Sequence, residues 1–445
     1  MHSDSTDQRR IPKHKITRAA SIAGTGAAIG ANYVKYKAKR ALRQGSAKEE
    51  FHEDTAARTF ETFSKLKGGP LKVAQMLSLD RNLLPAAYQE QFSKAQYSAP
   101  PLSYPLVVKT FNHELGTSPR DLFDTFDQSA TAAASIGQVH QATKDGQKYA
   151  VKVQYPGVAD SLSSDLKIVR PFAIRLMNLD AKSIDLYLNE VKERLTEETD
   201  YTLELQRGQE LMEQSASLAN VNFPKYYPKL SSNRILTMDW IDGVHLDEYY
   251  HEDRSQEERD TIGQALWDFC HHQVHTLREF HADPHPGNFL VKDGQLWVID
   301  FGCVKKLPDW FYTSYFSLMS PAALQDEARF ESHLRELGLI LDTDGAAERA
   351  ALTPVFKESV ELLSRPFAQE VFDFGDPTYL DEIYQFGERT GNDPVLKKLT
   401  SSRGSAHALY LNRTYFGLYN LCGSLKARIK TNMPEFSEAS ADSAE

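Results

Sequence analysis

The chain has 445 residues, of which 41% are hydrophobic and 25% charged, and a formal net charge of -10. That usage sustains a large buried core and excludes wholesale disorder and collagen-like or low-complexity classes. Three scattered cysteines, Cys270, Cys303 and Cys422, exclude a disulfide framework and a thiolate zinc set and fit a reducing compartment, and the negative charge argues against nucleic-acid binding by the whole surface.

The charge is uneven. Residues 1–50 carry eleven Lys and Arg against four Asp and Glu, a balance of +7, so the remainder carries -17. Ala19 to Val34 has no charged residue and is flanked by Arg18, Lys35, Lys37, Lys39 and Arg40. This Ala- and Gly-rich stretch is shorter than the roughly 20 residues of a membrane span. It reads either as a small-residue arm or as a segment that meets an anionic membrane surface, with the basic flanks on the cytoplasmic side. Asp4 and Asp7 ahead of it argue against a secretory signal.

From Glu49 the apolar spacing of Phe51, Phe60, Phe63 and Leu66 predicts a helix, interrupted at Gly68-Gly69-Pro70, with a second helix starting at Pro70 and running to Leu84. Pro100, Pro101 and Pro105 mark a loop, and Phe111 to Leu115 and Pro119 to Phe123 read as short helices. Asp145-Gly146 is a tight-turn signal between strand-like runs Gly137 to Ala142 and Gln147 to Gln154. A long helix is expected over Ser183 to Ser215, a strand over Ile235 to Ile241, and a helix over Gln256 to Phe280. A second hairpin joins Asn288 to Lys292 with Gln295 to Ile299 through Asp293-Gly294, and Trp310 to Ile429 reads as mostly helical. Strands early and helices late suggest a mixed-sheet lobe followed by a helical lobe.

The chemistry gathers around that second hairpin. Asp283 lies in His281-Ala282-Asp283-Pro284-His285-Pro286-Gly287-Asn288, and across the hairpin, at the same end, Asp300 opens Asp300-Phe301-Gly302. Two carboxylates and an amide thus converge, a set of hard oxygen ligands suited to magnesium that bridges phosphates. Upstream, Lys152 sits on the alternating strand Tyr149-Ala150-Val151-Lys152-Val153, where it can reach phosphates if a carboxylate fixes it; the long helix offers Glu198, Asp200 and Glu204. Strand lysine, helix glutamate, Asp-x4-Asn and Asp-Phe-Gly, in that order, match the phosphoryl-transfer machinery of protein kinases. Two departures stand out. Ala132-Ala133-Ala134-Ser135 replaces a glycine-rich loop, a stiffer cover over phosphates. Lys152 and Glu204 are also 52 positions apart, leaving room for inserted helices. A rival reading takes His281 and His285 with His271, His272 and His275 as a metal-hydrolase site, although Pro284 and Pro286 interrupt the strand that would align them.

With these features the chain resembles the AarF/UbiB family of atypical protein-kinase-like proteins over about residues 50 to 430. The marks are Lys72-Val73-Ala74-Gln75, the Ala132–Ser135 loop with Ser135-Ile136-Gly137-Gln138-Val139-His140, Glu198-Thr199-Asp200-Tyr201 with Glu204, the stretch 281–288, and Asp300-Phe301-Gly302. The family's Lys-x-Gly-Gln reads Lys-x-Ala-Gln here. The resemblance implies an α+β, two-lobed protein-kinase-like fold. It divides the chain into a basic arm over 1–48, a helical extension over 49–124, an N-lobe with inserted helices over 125–241, a helical C-lobe over 242–432 and a disordered acidic tail over 433–445. It implies ATP and Mg2+ as cofactors. Lys72 and Gln75 would lie over the active site with Lys72 held by Glu198 and Asp200, and Lys152 would pair with Glu204. Asp283 would be catalytic, Asn288 and Asp300 would hold the metal, and Ala132, Ala133, Ala134 and Ser135 would cover the nucleotide.

After Gly302 the chain runs through Cys303-Val304-Lys305-Lys306-Leu307-Pro308 straight into a helical pattern, with no long activation segment and no Ala-Pro-Glu. This argues against a general protein kinase and for ATP hydrolysis or transfer to a small or lipid-like molecule. The resemblance adds a link to isoprenoid quinone (ubiquinone) biosynthesis and to membrane lipids. The expectation is a cytoplasmic ATP-dependent phosphotransferase or ATPase, peripheral to a membrane and not binding nucleic acid. The alternatives are a small-molecule phosphotransferase, a protein kinase, or a pseudokinase scaffold.

Overall fold

The structure is a computed structural model that describes residues 47–66, 102–133, 136–177, 181–393, 396 and 403–431. The basic arm up to residue 46, Lys72, Gln75, Ala134, Ser135 and the acidic tail lie outside the described residues. The chain forms two compact units. Of the described residues, the first holds those up to Gln209 together with Lys225–Trp240, and the second holds Glu210–Pro224 together with those from Ile241.

In the first unit, α1 (Ala47–Leu66), α2 (Tyr104–Leu115) and the single turn α3 (Pro119–Leu122) precede an antiparallel sheet. Its strands are β1 (Thr125–Phe126), β2 (Ala132–Ala133), β3 (Gly137–Lys144), β4 (Gln147–Gln154) and β6 (Ile235–Asp239). They run in the order β1-β3-β4-β6, with β2 also on β3. The hairpin β3–β4 turns at Asp145 (φ 52°) and Gly146 (φ 77°), as its Asp-Gly signal requires. One face of β4 (Tyr149, Val151, Val153) builds a core with Val107 and Phe111 of α2, Phe123, Ala142 and Ile235. Strand alternation sends Ala150, Lys152 and Gln154 to the opposite face. Pro105 does not mark a loop: it stands in the first turn of α2, where its missing N–H costs nothing.

After β4 come the inserted helices α4 (Val158–Met177) and α5 (Ala181–Glu198), then α6 (Tyr201–Gln214). The single helix expected over Ser183 to Ser215 is therefore two. The break falls where Asp200 turns its carboxylate onto the amides of Thr202 (3.0 Å) and Leu203 (3.2 Å), an N-cap that starts a new helix.

In the second unit, β5 (Val221–Asn222), β7 (Val244–His245), β9 (Phe289–Lys292) and β10 (Gln295–Val298) make a sheet in the order β5-β10-β9-β7. The β9–β10 hairpin turns at Asp293 (φ 52°) and Gly294 (φ 71°). After the turn α7 (Leu246–Tyr249), α8 (Gln256–His271) starts at a Ser255–Glu258 capping box. The helix expected to reach Phe280 stops short. A π-turn spans His272–Leu277, Arg278 adopts φ 56°, and the chain leaves as β8 (Glu279–His281), which pairs with β11 (Val304–Lys306). Helices α9 (Asp309–Ser317), α10 (Pro321–Gln325), α11 (Glu327–Glu336), α12 (Ala346–Ser364), α13 (Pro377–Asn392) and α14 (Ala406–Leu425) complete the unit. The stretch read as helical also contains β12 (Val371–Asp373), paired with β13 (Arg428–Lys430). The outcome is a mixed helix-and-sheet fold in which both chemistry-bearing hairpins form around Asp-Gly turns.

Candidate active site

The first unit supplies a buried cation. Lys152 Nζ donates to both carboxylate oxygens of Glu204, at 2.8 and 3.0 Å, and the two side chains are 9% and 2% exposed. Its ammonium also lies 5.1 Å from the centroid of the Tyr201 ring. Tyr201 and Glu204 sit three apart on α6, so one helical face provides both partners. Asp200 caps that helix, and Gln154, two residues beyond Lys152, donates to the Thr199 carbonyl at 3.0 Å. The strand is thus tied to the chain entering the helix just beside the ion pair. A cation and a carboxylate this deeply buried are stable only together, because each alone would carry its full desolvation cost.

Gly137 holds the neighbouring strand close. A Cβ there would stand 2.6 Å from the Val153 carbonyl oxygen and 2.7 Å from the Tyr201 hydroxyl, so no larger residue fits. Ala132 and Ala133 form the short strand β2 opposite Val139 and Gln138. Gln138 is fully buried: it accepts from the Leu102 amide at 2.6 Å and meets His140 Nε2 at 2.9 Å. His140 Nδ1 in turn lies 2.8 Å from the Asp127 carbonyl. That pattern makes His140 neutral, and burial lowers its pKa accordingly. Glu198 is buried at the end of α5.

The second unit carries Asp283, Asn288 and Asp300 on and beside a tight loop. The Asp283 carbonyl accepts from the His285 amide (2.7 Å) and from Asn288 Nδ2 (2.9 Å). Committing its nitrogen there turns the Asn288 carbonyl oxygen, Oδ1, the other way. Asn288 is tied by main-chain bonds to His285 (2.9 Å) and Ile299 (3.0 Å), across the β9–β10 hairpin from Asp300. Asp300 Oδ1 accepts from the Gly302 amide at 2.9 Å. Phe301 is fully buried, 5.8 Å from Phe223 and 6.4 Å from the His281 ring. The Ala282 amide donates to the Cys303 carbonyl at 2.8 Å, so the loop and the Asp-Phe-Gly turn are fastened at their base by the β8–β11 ribbon. An amide oxygen and a carboxylate at the ends of one hairpin fit a hard divalent cation such as magnesium.

The histidines are engaged otherwise than as a metal set. His285 Nδ1 accepts from the Gly287 amide at 3.0 Å, and His272 Nε2 lies 2.9 Å from the Gln214 carbonyl. His275 bridges the Tyr312 and Tyr415 hydroxyls at 2.8 and 3.0 Å. Among the described residues no group of three or more His, Cys, Asp or Glu is placed to hold a metal ion. Beyond Gly302 the chain makes β11, the Leu307 amide donates to the Arg278 carbonyl at 2.7 Å, and α9 begins at Asp309. No platform of the length that carries a peptide substrate separates them.

Sequence reasoning named Tyr201 in the run Glu198-Thr199-Asp200-Tyr201 but gave it no part beside Lys152, although it stands one position after the capping Asp200 and three before Glu204. It also missed Arg413, whose Nη2 lies 3.7 Å from Asp283 Oδ1. Nothing in the run Leu411-Asn412-Arg413-Thr414 distinguishes it from an ordinary helix surface.

Residues 94–334 match the family model described as the ABC1 atypical kinase-like domain. The probable serine/threonine-protein kinase abkA of Dictyostelium discoideum is 27% identical over 95% of this chain and 79% of its own. The mitochondrial atypical kinase COQ8 of Saccharomyces cerevisiae is 27% identical over 96% of this chain and 85% of its own. Among solved structures, the complex of Rv3197 with erythromycin from Mycobacterium tuberculosis aligns with a TM-score of 0.59 and 27% identity, covering 87% of this chain and 96% of that one.

Proposed function

This chain belongs to the ABC1 atypical kinase-like (AarF/UbiB) family, and from that premise we propose that it is a magnesium-dependent ATPase or ATP phosphotransferase whose acceptor is water or a small, lipid-like molecule. The observation that carries the proposal is the buried Lys152–Glu204 pair at 2.8 Å. Glu204 holds the desolvated Lys152 ammonium in place, the arrangement by which a helix glutamate in protein kinases fixes the strand lysine that meets nucleotide phosphates.

In this reading Glu204 orients Lys152 and Lys152 holds the phosphates. Asn288 Oδ1 and the Asp300 carboxylate would hold magnesium, which would supply positive charge against the phosphoryl oxygens. Asp283 takes the proton of the attacking hydroxyl or water. Ala132, Ala133, Ala134 and Ser135 cover the nucleotide, and Lys72 and Gln75, with Lys72 answering Glu198 and Asp200, restrict bulky acceptors. The short path from Gly302 to α9 favours a non-peptide acceptor. A role in isoprenoid quinone or lipid metabolism rests on the family resemblance.

Among the described residues no helix is long and apolar enough to cross a membrane. The basic residues 1–45 are proposed to hold the protein to an anionic cytoplasmic-face surface, each Lys or Arg near the leaflet contributing about 1 kcal/mol. One experiment tests both statements: phosphate release from MgATP by purified protein, with and without anionic liposomes, for the full chain and for a form lacking residues 1–45. Magnesium-dependent release and liposome flotation by the full chain alone are expected. No release under any condition overturns the enzymatic reading, and equal flotation of the two forms overturns the membrane reading.

A further inference from the structure

Helix α14 carries a glycine at its middle, Gly417, where glycine costs about 1 kcal/mol relative to alanine. A Cβ at Gly417 would stand 2.2 Å from Cγ, 3.1 Å from Cβ and 3.5 Å from Cδ of Pro284. The atoms in the way belong to a ring closed onto the backbone. They cannot swing aside, so the loop or the helix would have to move. Pro284 directly follows Asp283.

Four residues earlier on the same helix, and therefore on the same face, Arg413 directs Nη2 to within 3.7 Å of Asp283 Oδ1; the two side chains are 22% and 28% exposed. Between them Thr414 is 3% exposed. With Leu418, Leu421, His281 and Pro284 it borders a cavity of about 20 Å³, room for roughly one water. The loop therefore rests on the helix almost without a gap. The bonds from His285 and Asn288 fix the Asp283 carbonyl, whereas Arg413 meets its carboxylate.

We propose that α14 is a clasp for the catalytic loop, in which Gly417 seats Pro284 and Arg413 aims the Asp283 carboxylate, making both positioning residues for Asp283. The proposal rests on the reading of Asp283 as the proton acceptor. It assigns function to a helix 130 positions downstream of the loop it serves.

The test uses the full chain and two readouts. Hydrogen exchange of the 283–288 amides reads the clasp itself, and steady-state phosphate release from MgATP reads its consequence. Gly417→Ala is expected to speed exchange in the loop and to lower kcat by roughly 10- to 100-fold, the scale of a 1 Å misplacement of a reacting group. KM for ATP should stay within about two-fold, because the phosphates are held from Lys152. Arg413→Met should act in the same direction, Arg413→Lys should restore part of kcat, and neither should add to the loss already caused by Asp283→Asn. Unchanged exchange and unchanged kcat in both Gly417→Ala and Arg413→Met overturn the clasp. Should Gly417→Ala fail to fold, the Arg413 pair decides: equal kcat in Met, Lys and wild type overturns the positioning role. An Asp283→Asn protein with wild-type turnover overturns the catalytic reading instead, and the exchange data show separately whether helix and loop are clasped.

Discussion

The cation in the first unit and the carboxylates in the second are held by opposite means. Lys152 has a charged partner, Glu204, in a pocket that excludes water, and the pair belongs to the packing of β4 against α6. Asp283, Asn288 and Asp300 are partly exposed; main-chain and amide hydrogen bonds fasten the loop and turn that carry them, and Arg413 Nη2 lies 3.7 Å from Asp283 Oδ1. In the first case the functional group is part of what stabilises the unit. In the second it stands, partly exposed, on a loop fastened by main-chain bonds. Substitution should therefore separate activity from stability in one place and join them in the other.

The largest effect is expected in the second unit. Asp283→Asn and Asp300→Asn keep the size of the side chain, so the thermal midpoint should hardly move. Turnover should fall by about 10²- to 10⁴-fold for the proton acceptor, and magnesium-dependent stabilisation by ATP should vanish for Asp300→Asn. Differential scanning fluorimetry with and without MgATP, beside phosphate release, checks both. A melting loss as large as the activity loss would erase the contrast.

In the first unit stability should respond as well. Glu204→Gln leaves the Lys152 ammonium buried without its counter-charge, and breaking such a pair costs about 3 to 5 kcal/mol. Replacing both residues, Lys152→Met with Glu204→Leu, should recover much of that stability in a urea titration while turnover stays absent. If the double replacement is as unstable as the single one, the cost comes from packing and not from the unpaired charge.

How legible each region was follows from the same contrast. Both Asp-Gly hairpins could be read because the turn chemistry is local: Asp145 and Asp293 take the positive φ that their neighbours demand. The places of Lys152, Asp283, Asn288 and Asp300 on a strand and at hairpin ends could be read because their spacing is tied to those hairpins. The break at Asp200 could not, since the apolar periodicity runs through it and an N-cap aspartate looks like any surface acid. The π-turn after His271 was hidden for a related reason. His275 fits a helical face, and only its tertiary bonds to Tyr312 and Tyr415 show that the helix is distorted there. Arg413 and Gly417 are ordinary helix residues until the loop they touch is known.

A third prediction concerns pH in the second unit. Burial, reinforced by Arg278, pushes His275 down to about 3, against about 6.5 for the unfolded chain. Between those values the unfolded state binds the proton and the folded state does not. The contribution to stability is therefore complete above about pH 6.5 and falls as pH drops toward 3, by at most about 1.4 kcal/mol per pH unit. Urea midpoints measured from pH 7.5 to 4.5 should decline in wild type and decline less steeply in His275→Gln, where the buried His271 and His140 still resist protonation. Parallel curves would place the acid sensitivity elsewhere.

The smallest effect sharpens the comparison most, because Asp200 has two readings. The family resemblance makes it a charge partner for Lys72. The structure gives its carboxylate a local task, accepting from the Thr202 and Leu203 amides at the start of α6, the helix that carries Glu204. Loss of an N-cap costs about 1 kcal/mol, so Asp200→Ala should lower stability by that order. Serine caps nearly as well as aspartate and carries no charge. If capping is all that Asp200 does, Asp200→Ser should match wild type in both stability and turnover. If its charge is also used, Asp200→Ser should keep its stability and lose turnover, and Asp200→Ala should lose both. The serine variant thus separates the residue that starts a helix from the residue that answers a lysine, with one denaturation curve and one rate.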